Sequence, residues 1–217
     1  MAVADPPETD QLSVRLRTGT RADHDAAQGS GFLDALADGR LPREAYADLG
    51  AQHWFIYETL EQAALAMIDD PVAGAFVLPE LTRLPALSDD LKFLLGAHWA
   101  ERIVASPATI AYQNRLRLVA FDRPSAFVAH HYTRYLGDLS GGQFLGPAIA
   151  RSYRLQGDGH RFFVFEGVRP PAFRTRYRNM LDAIAWPPAE DAAFVAEVSA
   201  AYRLNIAVLA DLKERWT

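Results

Sequence analysis

The stretch PSAFVAHHYTRYLGDLSGGQFLGPAIAR, Pro124 to Arg151, decides how the chain is read. Proline suits the first turn of a helix, where its missing N–H costs no intrahelical bond, and the predicted helix runs to about Arg151. Its middle, Gly137-Asp138-Leu139-Ser140-Gly141-Gly142, is poor helix material. Each interior glycine costs about 1 kcal/mol against alanine, so three cost about 3 kcal/mol. Gly141 and Gly142 stand three and four residues after Asp138, on one helix face, with Arg134 one turn earlier. Such a helix can kink and let a flat ligand lie against bare backbone beside a carboxylate. Close packing of another helix against small residues would also explain the glycines. Asp138 tips the reading toward a site.

Helix signals continue on both sides. From Arg43 to Met67, apolar or aromatic residues recur at Tyr46, Leu49, His53, Tyr57, Leu60, Ala64 and Met67, the steps of three and four of an amphipathic helix. Pro42 lies at its start, and Asp69-Asp70-Pro71 ends it. Ser106-Pro107 reads as N-cap and first helical residue, opening a helix through Leu118. Trp186-Pro187-Pro188 opens the last helix, with Glu190 and Asp191 where the helix dipole favours acids. Phe162 to Phe165 is a short strand-like run with no evident partner. Gly29-Ser30-Gly31, Asp38-Gly39, Asp70-Pro71 and Gly157-Asp158-Gly159 are turns between helices. Without repeats or linkers, the expectation is one all-α multi-helix bundle over residues 11–217, behind a flexible tail of residues 1–10.

Composition narrows the chemistry. The 217 residues are 50% apolar and 23% charged, the balance of an ordinary globular chain. There is no cysteine, which excludes thiol nucleophiles, Cys-ligated zinc and iron–sulfur clusters. A net charge of −5 argues against nucleic acid as a partner. Lys92 and Lys213 are the only lysines, so the cations are overwhelmingly arginine, the better bidentate partner for carboxylates. Met1 to Asp10 lack the cationic start and apolar core of a signal peptide. No run of about 18 apolar residues occurs. The chain stops at Trp216-Thr217 without an apolar tail, so a cytoplasmic protein with no membrane anchor is expected.

Three further clusters resist a plain bundle. On a predicted opening helix from Gln11 to Gln28, Arg17, Arg21, His24 and Gln28 are spaced 4, 3 and 4 apart and share a face. Two cations and an imidazole suit a ligand with both carboxylates and a metal, though a solvated polar face has the same pattern. Arg174 and Arg178 form a second basic turn with Tyr177 between them. Asn205 stands on the apolar stripe Val198, Tyr202, Leu209, Leu212, where it must be hydrogen-bonded or cost about 1–3 kcal/mol. Tyr57 is placed similarly on its own helix. His130 and His131 point to different sides of a helix and cannot share a metal; His53 reads as core or flank, and His98 and His160 lie near turns. The absence of a Glu-x-x-His pair weighs against a di-iron bundle.

Together these segments resemble the heme oxygenase family over nearly the whole chain after the tail. The run Tyr132-Thr-Arg-Tyr-Leu-Gly-Asp-Leu-Ser-Gly-Gly-Gln143 is similar to that family's distal-helix signature, about 110 residues after a helical histidine and before Phe162-Phe163 and the Arg174–Arg178 turn. The resemblance implies a heme sandwiched between a proximal and a kinked, glycine-rich distal helix. It makes His24 the proximal iron ligand and Arg17, Arg21, Arg174 and Arg178 the holders of the heme propionates, with Tyr132 assisting. It makes Gly137, Gly141 and Gly142 the distal backbone against the heme, and Phe163, Tyr202 and Leu209 apolar pocket residues. It makes Asp138 the carboxylate that orders distal water, in a network with Arg134, Tyr57 and Asn205. Gln28 departs from the family pattern, where many relatives have glutamate beside the proximal ligand. Arginine also replaces the relatives' propionate-facing lysines at positions 17, 21 and 174.

The implied reaction is oxidative opening of heme to biliverdin, CO and ferrous iron, with heme as both cofactor and substrate and O₂ as co-substrate. Electrons would come from a ferredoxin, flavodoxin or reductase. Asp138, acting through water, is the expected proton source. A heme carrier or sensor would use His24 and the arginines equally well but has no need of the polar set Asp138, Arg134, Tyr57 and Asn205. A different enzyme on the same scaffold, such as a thiaminase-like hydrolase, lacks its usual cysteine here and leaves Asp138 unexplained.

Overall fold

The computed structural model describes residues 11–22 and 31–217. Its helices in chain order are α1 (Leu12–Gly19), α2 (Phe32–Ala37), α3 (Arg43–Met67), α4 (Leu84–Leu95), α5 (Pro107–Val119), α6 (Pro124–His131), α7 (Gly137–Ser152), α8 (Pro170–Asp182) and α9 (Pro188–Trp216). Short 3₁₀ turns link several of them, and no strand occurs among the described residues. The run Phe162 to Phe165, strand-like in sequence, folds as a 3₁₀ turn over Arg161–Phe163 with no partner strand.

The predicted α3 begins directly after Pro42, and α5 begins at its Ser106 cap. Ser106 accepts a hydrogen bond from the Thr109 N–H at 3.2 Å, satisfying one of the donors the first turn leaves orphaned. The stripe of α3 is buried at Leu49, Ile56, Tyr57 and Leu60. It packs against α4, α5 and α6, while α9 lies along α5 and α6. The largest fully buried side chains include Tyr57 of α3, Tyr112 of α5 and Tyr177 of α8. Helix α9 is long and apolar enough to cross a membrane by length and composition. It nonetheless buries Phe194, Val198, Ala201, Val208, Leu209 and Leu212 in this core.

Two predicted helices are interrupted. The opening helix breaks at Thr20, whose φ of −110° and ψ of 8° leave the helical region. The Thr20 hydroxyl turns back to the Leu16 carbonyl at 2.7 Å, and the preceding Gly19 has low helix propensity, so the first segment ends there. Arg17 therefore belongs to α1, whereas Arg21 follows the break; His24 and Gln28 lie outside the described residues. The long helix from Pro124 changes to π geometry over Tyr132–Leu136 before α7 begins at Gly137. Thr133 at the head of this segment sends its hydroxyl to the Ala129 carbonyl at 2.9 Å, a side-chain bond that bends helices. The deviation stands one turn earlier than the glycines that mark it in the sequence, and single π turns of this kind cluster at functional sites.

Candidate functional site

The π segment and α7 bring the polar residues together. Asp138, in the first turn of α7, accepts a hydrogen bond from the Tyr57 hydroxyl on α3. Arg134, in the π segment, lies with its guanidinium carbon 5.0 Å from the centre of the Tyr57 ring. Its Nη1 donates to Asn205 Oδ1 on α9 at 2.6 Å. The four residues predicted as one network thus converge from three helices and the π segment.

The electrostatics of this set are unusual. Burial raises the Asp138 pKa; Arg134, the Tyr57 hydroxyl and Arg83 oppose that rise without cancelling it. Burial, with the Asp138 charge beside it, pushes Tyr57 well above the ordinary tyrosine range, so its hydroxyl stays a donor. Burial pulls the Arg134 pKa down, but Tyr57 and Asp138 more than restore it, and the guanidinium stays charged. Arg134 is only 5% exposed, yet its Nε and Nη2 have no protein partner. Buried donors of a charged group require acceptors, and bound water is one that can supply them.

The glycines divide by what surrounds them. A Cβ built on Gly137 or Gly141 would meet nothing within 4 Å, and both residues face outward from the bundle. A flat ligand can lie against the backbone there. At Gly142 a Cβ would come 3.1 Å from Phe163 Cδ1, and at Gly146 2.6 Å from Phe163 Cβ. Close packing therefore accounts for Gly142 and Gly146, with Phe163 as the residue packed, and open backbone for Gly137 and Gly141.

The basic residues gather at one side. Ser13 of α1 bonds to Asp182 of α8 through its N–H and hydroxyl, both at 2.8 Å, and Arg15 pairs with Asp191 of α9. These ties set Arg17 beside α8. Tyr132 feels the charges of Arg178 and Arg17, which places all three together. Arg174 Nη1 donates to the Leu139 carbonyl of α7 at 3.1 Å, joining the basic turn to the distal helix. Arg17, Arg21 and Arg178 are exposed and Arg174 is half-buried. Tyr202 is half-buried and Leu209 lies in the core.

Further buried polar groups, unmarked in the sequence, lie around this set. Tyr112 on α5 is fully buried near Arg134 and Asp138, and its hydroxyl lies 3.5 Å from His130 Nδ1. His130 Nε2 meets Glu197 Oε1 at 3.0 Å, and Arg115 Nε donates to the same oxygen at 2.9 Å. Burial would raise the Glu197 carboxyl, but hydrogen bonds from His130 and Arg115 outweigh it and hold the pKa at about 2. Glu61 accepts from the Tyr135 hydroxyl at 3.4 Å and from the Arg83 N–H at 2.6 Å. Tyr112 stood on a visible stripe with Thr109, Gln113 and Leu116. Nothing in that spacing shows that its hydroxyl turns toward a charged group. His53, set aside as core or flank, packs 4.8 Å from the Phe162 ring, one turn before Tyr57. Among the described residues no cluster of histidine and carboxylate could hold a metal on its own.

The chain is similar to known proteins over nearly its whole length. The heme oxygenase family model matches residues 10–211. Heme oxygenase 1 of Nostoc sp. is 33% identical, over 93% of this chain and 86% of its own length. The crystal structure of heme oxygenase-1 from Synechocystis sp. in complex with heme superposes with a TM-score of 0.89 at 32% identity, covering 94% of this chain and 93% of that one. Heme oxygenase from Leptospira interrogans superposes with a TM-score of 0.86 at 33% identity, covering 92% and 98%.

Proposed function

The chain belongs to the heme oxygenase family, and from that premise we propose how its own residues carry the family's reaction, the cleavage of heme to biliverdin. Heme is both substrate and cofactor, and when bound it supplies the iron at which O₂ is activated. The observation that carries the assignment of residues is the pairing of open backbone at Gly137 and Gly141 with the Tyr57–Asp138 and Arg134–Asn205 bonds beside it.

In this reading His24 is the iron ligand, three residues after Arg21 in the sequence. A single neutral imidazole leaves the opposite side of the macrocycle open. Arg17, Arg21, Arg174 and Arg178 hold the two propionates, with Tyr132 within the field of Arg178 and Arg17. The outward faces of Gly137 and Gly141 form the distal wall, and Phe163 packs behind Gly142 to support it. Asp138 holds a proton more readily than an ordinary carboxyl because burial disfavours its charged form. Tyr57 fixes the orientation of that carboxyl, Asn205 fixes Arg134, and the orphaned donors of Arg134 retain the water through which protons move. A carrier has no use for such a relay.

The electron donor in this reading is a ferredoxin, flavodoxin or reductase, and the setting is the cytoplasm. In helix α9 the large apolar residues Phe194, Val198, Leu209 and Leu212 are buried in the core. Mixing the protein with hemin, then ascorbate or a reductase in air, tests the assignment as a whole. Biliverdin absorbance should grow as the Soret band falls. A stable Soret band under both donors would overturn it in favour of a carrier.

A further inference from the structure

Arg174, Tyr177 and Arg178 occupy positions i, i+3 and i+4 of α8 and share a face of it. Arg178 is exposed and Arg174 is half-buried against the Leu139 carbonyl, but Tyr177 is fully buried. Aromatic rings surround it: Phe76 edge-on at 5.1 Å and Phe173 at 6.3 Å. Ring contacts of this kind supply area and little direction. The directional contact is polar, between the Tyr177 hydroxyl and His131 Nδ1 at 2.8 Å. The two rings are stacked, 8° from parallel with centroids 5.7 Å apart.

His131 is the last residue of α6, immediately before the π segment. It packs against Phe127 and Tyr135 and is 3% exposed. Burial holds its pKa at about 3, so the imidazole is neutral. Tyr177, raised well above the ordinary tyrosine range by burial, keeps its proton and donates it to Nδ1. The tautomer follows: the imidazole proton sits on Nε2.

We propose that His131 is a positioning residue: through the Tyr177 hydroxyl it fixes the rotation of α8 about its axis, and with it the direction in which Arg174 and Arg178 meet the heme carboxylates. The histidine thereby couples the start of the distal π segment to the in-plane seating of the macrocycle, which decides the meso carbon presented to the distal side. A rotation of α8 small enough to keep Tyr177 buried would still swing both long side chains, and a misplacement of about 1 Å at a reacting centre is costly. The inference rests on the reading that Arg174 and Arg178 hold propionates.

Five variants test it: Tyr177→Phe, His131→Phe, those two combined, His131→Asn and the double Arg174→Ala/Arg178→Ala. Each is measured for the Kd of ferric heme, the ratio of heme seatings in the ferric complex from its shifted methyl resonances, the biliverdin isomer ratio, and thermal unfolding of the heme-free protein. Tyr177→Phe and His131→Phe keep the rings and remove one end of the bond. Each should raise the minor seating and its biliverdin isomer several-fold and weaken heme binding a few-fold. The two together should do no more than either alone. His131→Asn, which places an amide oxygen where Nδ1 stands, should return both ratios toward wild type. Lower thermal stability with unchanged seating and isomer ratios in Tyr177→Phe would overturn the inference and leave His131 a core histidine. Unchanged Kd and seating in the arginine double variant would instead overturn the propionate reading, and the inference with it.

Discussion

Alanine at two glycines of α7 should have opposite consequences, although helix propensity treats them alike. An interior helix position gains about 1 kcal/mol on changing glycine to alanine. At Gly141 the new methyl would meet nothing within 4 Å, so the heme-free protein should keep that gain. At Gly146 the methyl would stand 2.6 Å from Phe163 Cβ and 3.0 Å from its Cγ. The near end of a side chain cannot swing aside, so backbone must move, and overpacking of this kind costs about 1–3 kcal/mol. The heme-free variants should therefore differ by about 1–3 kcal/mol, or roughly 2–12 °C in Tm for a chain of this size. Heme binding should reverse their order. The Gly141 methyl would occupy the wall on which the macrocycle lies, and the same overpacking cost would weaken Kd by roughly 5- to 150-fold. Calorimetry of the heme-free proteins and Soret titration measure the two effects. Equal Tm values would refute the packing argument, and an unchanged Kd for Gly141→Ala would refute the distal wall.

Asp138→Ala should leave heme Kd within a few-fold of wild type while biliverdin formation falls by about 10²–10⁴, the usual contribution of a positioned proton donor. Asp138→Asn separates water ordering from proton holding, and full activity in the alanine variant would remove Asp138 from the mechanism. His24→Ala should change the ferric absorption spectrum and abolish turnover, with partial recovery of both in added imidazole; a wild-type spectrum would exclude His24 as the ligand. Glu197 links stability to pH: its folded pKa of about 2 lies below the ordinary 4.5, so its contribution is complete above pH 4.5 and is lost as pH falls toward 2. The shift corresponds to roughly 3 kcal/mol at neutral pH. Urea unfolding should show Glu197→Gln less stable at pH 7, with the gap to wild type closing by roughly 1 kcal/mol by pH 4; a gap that does not change with pH would exclude the buried carboxylate as its source.

Apolar spacing and capping residues were enough to place α3, α5 and α9, because a helix is built from local bonds and each of these carries its own start signal. The Gly137–Gly142 motif also stood out in the sequence, since its glycines and single carboxylate contradict the propensity of the helix that holds them. Spacing states which residues share a face but not what that face meets. The bonds from Tyr57 to Asp138 and from Arg134 to Asn205 join residues 81 and 71 positions apart, and only the packing of α3, α7 and α9 brings them together. The same holds for the carboxylate of Glu197, which lies 67 positions from His130 and gave no sign in sequence of being buried. Packing also decided which glycines are open and which carry Phe163, and the break at Thr20 and the π segment over Tyr132–Leu136 fall within stretches whose spacing reads as continuous helix. Local propensity differs between these outcomes by about 1 kcal/mol per residue, which one buried ring or one side-chain hydrogen bond is sufficient to override.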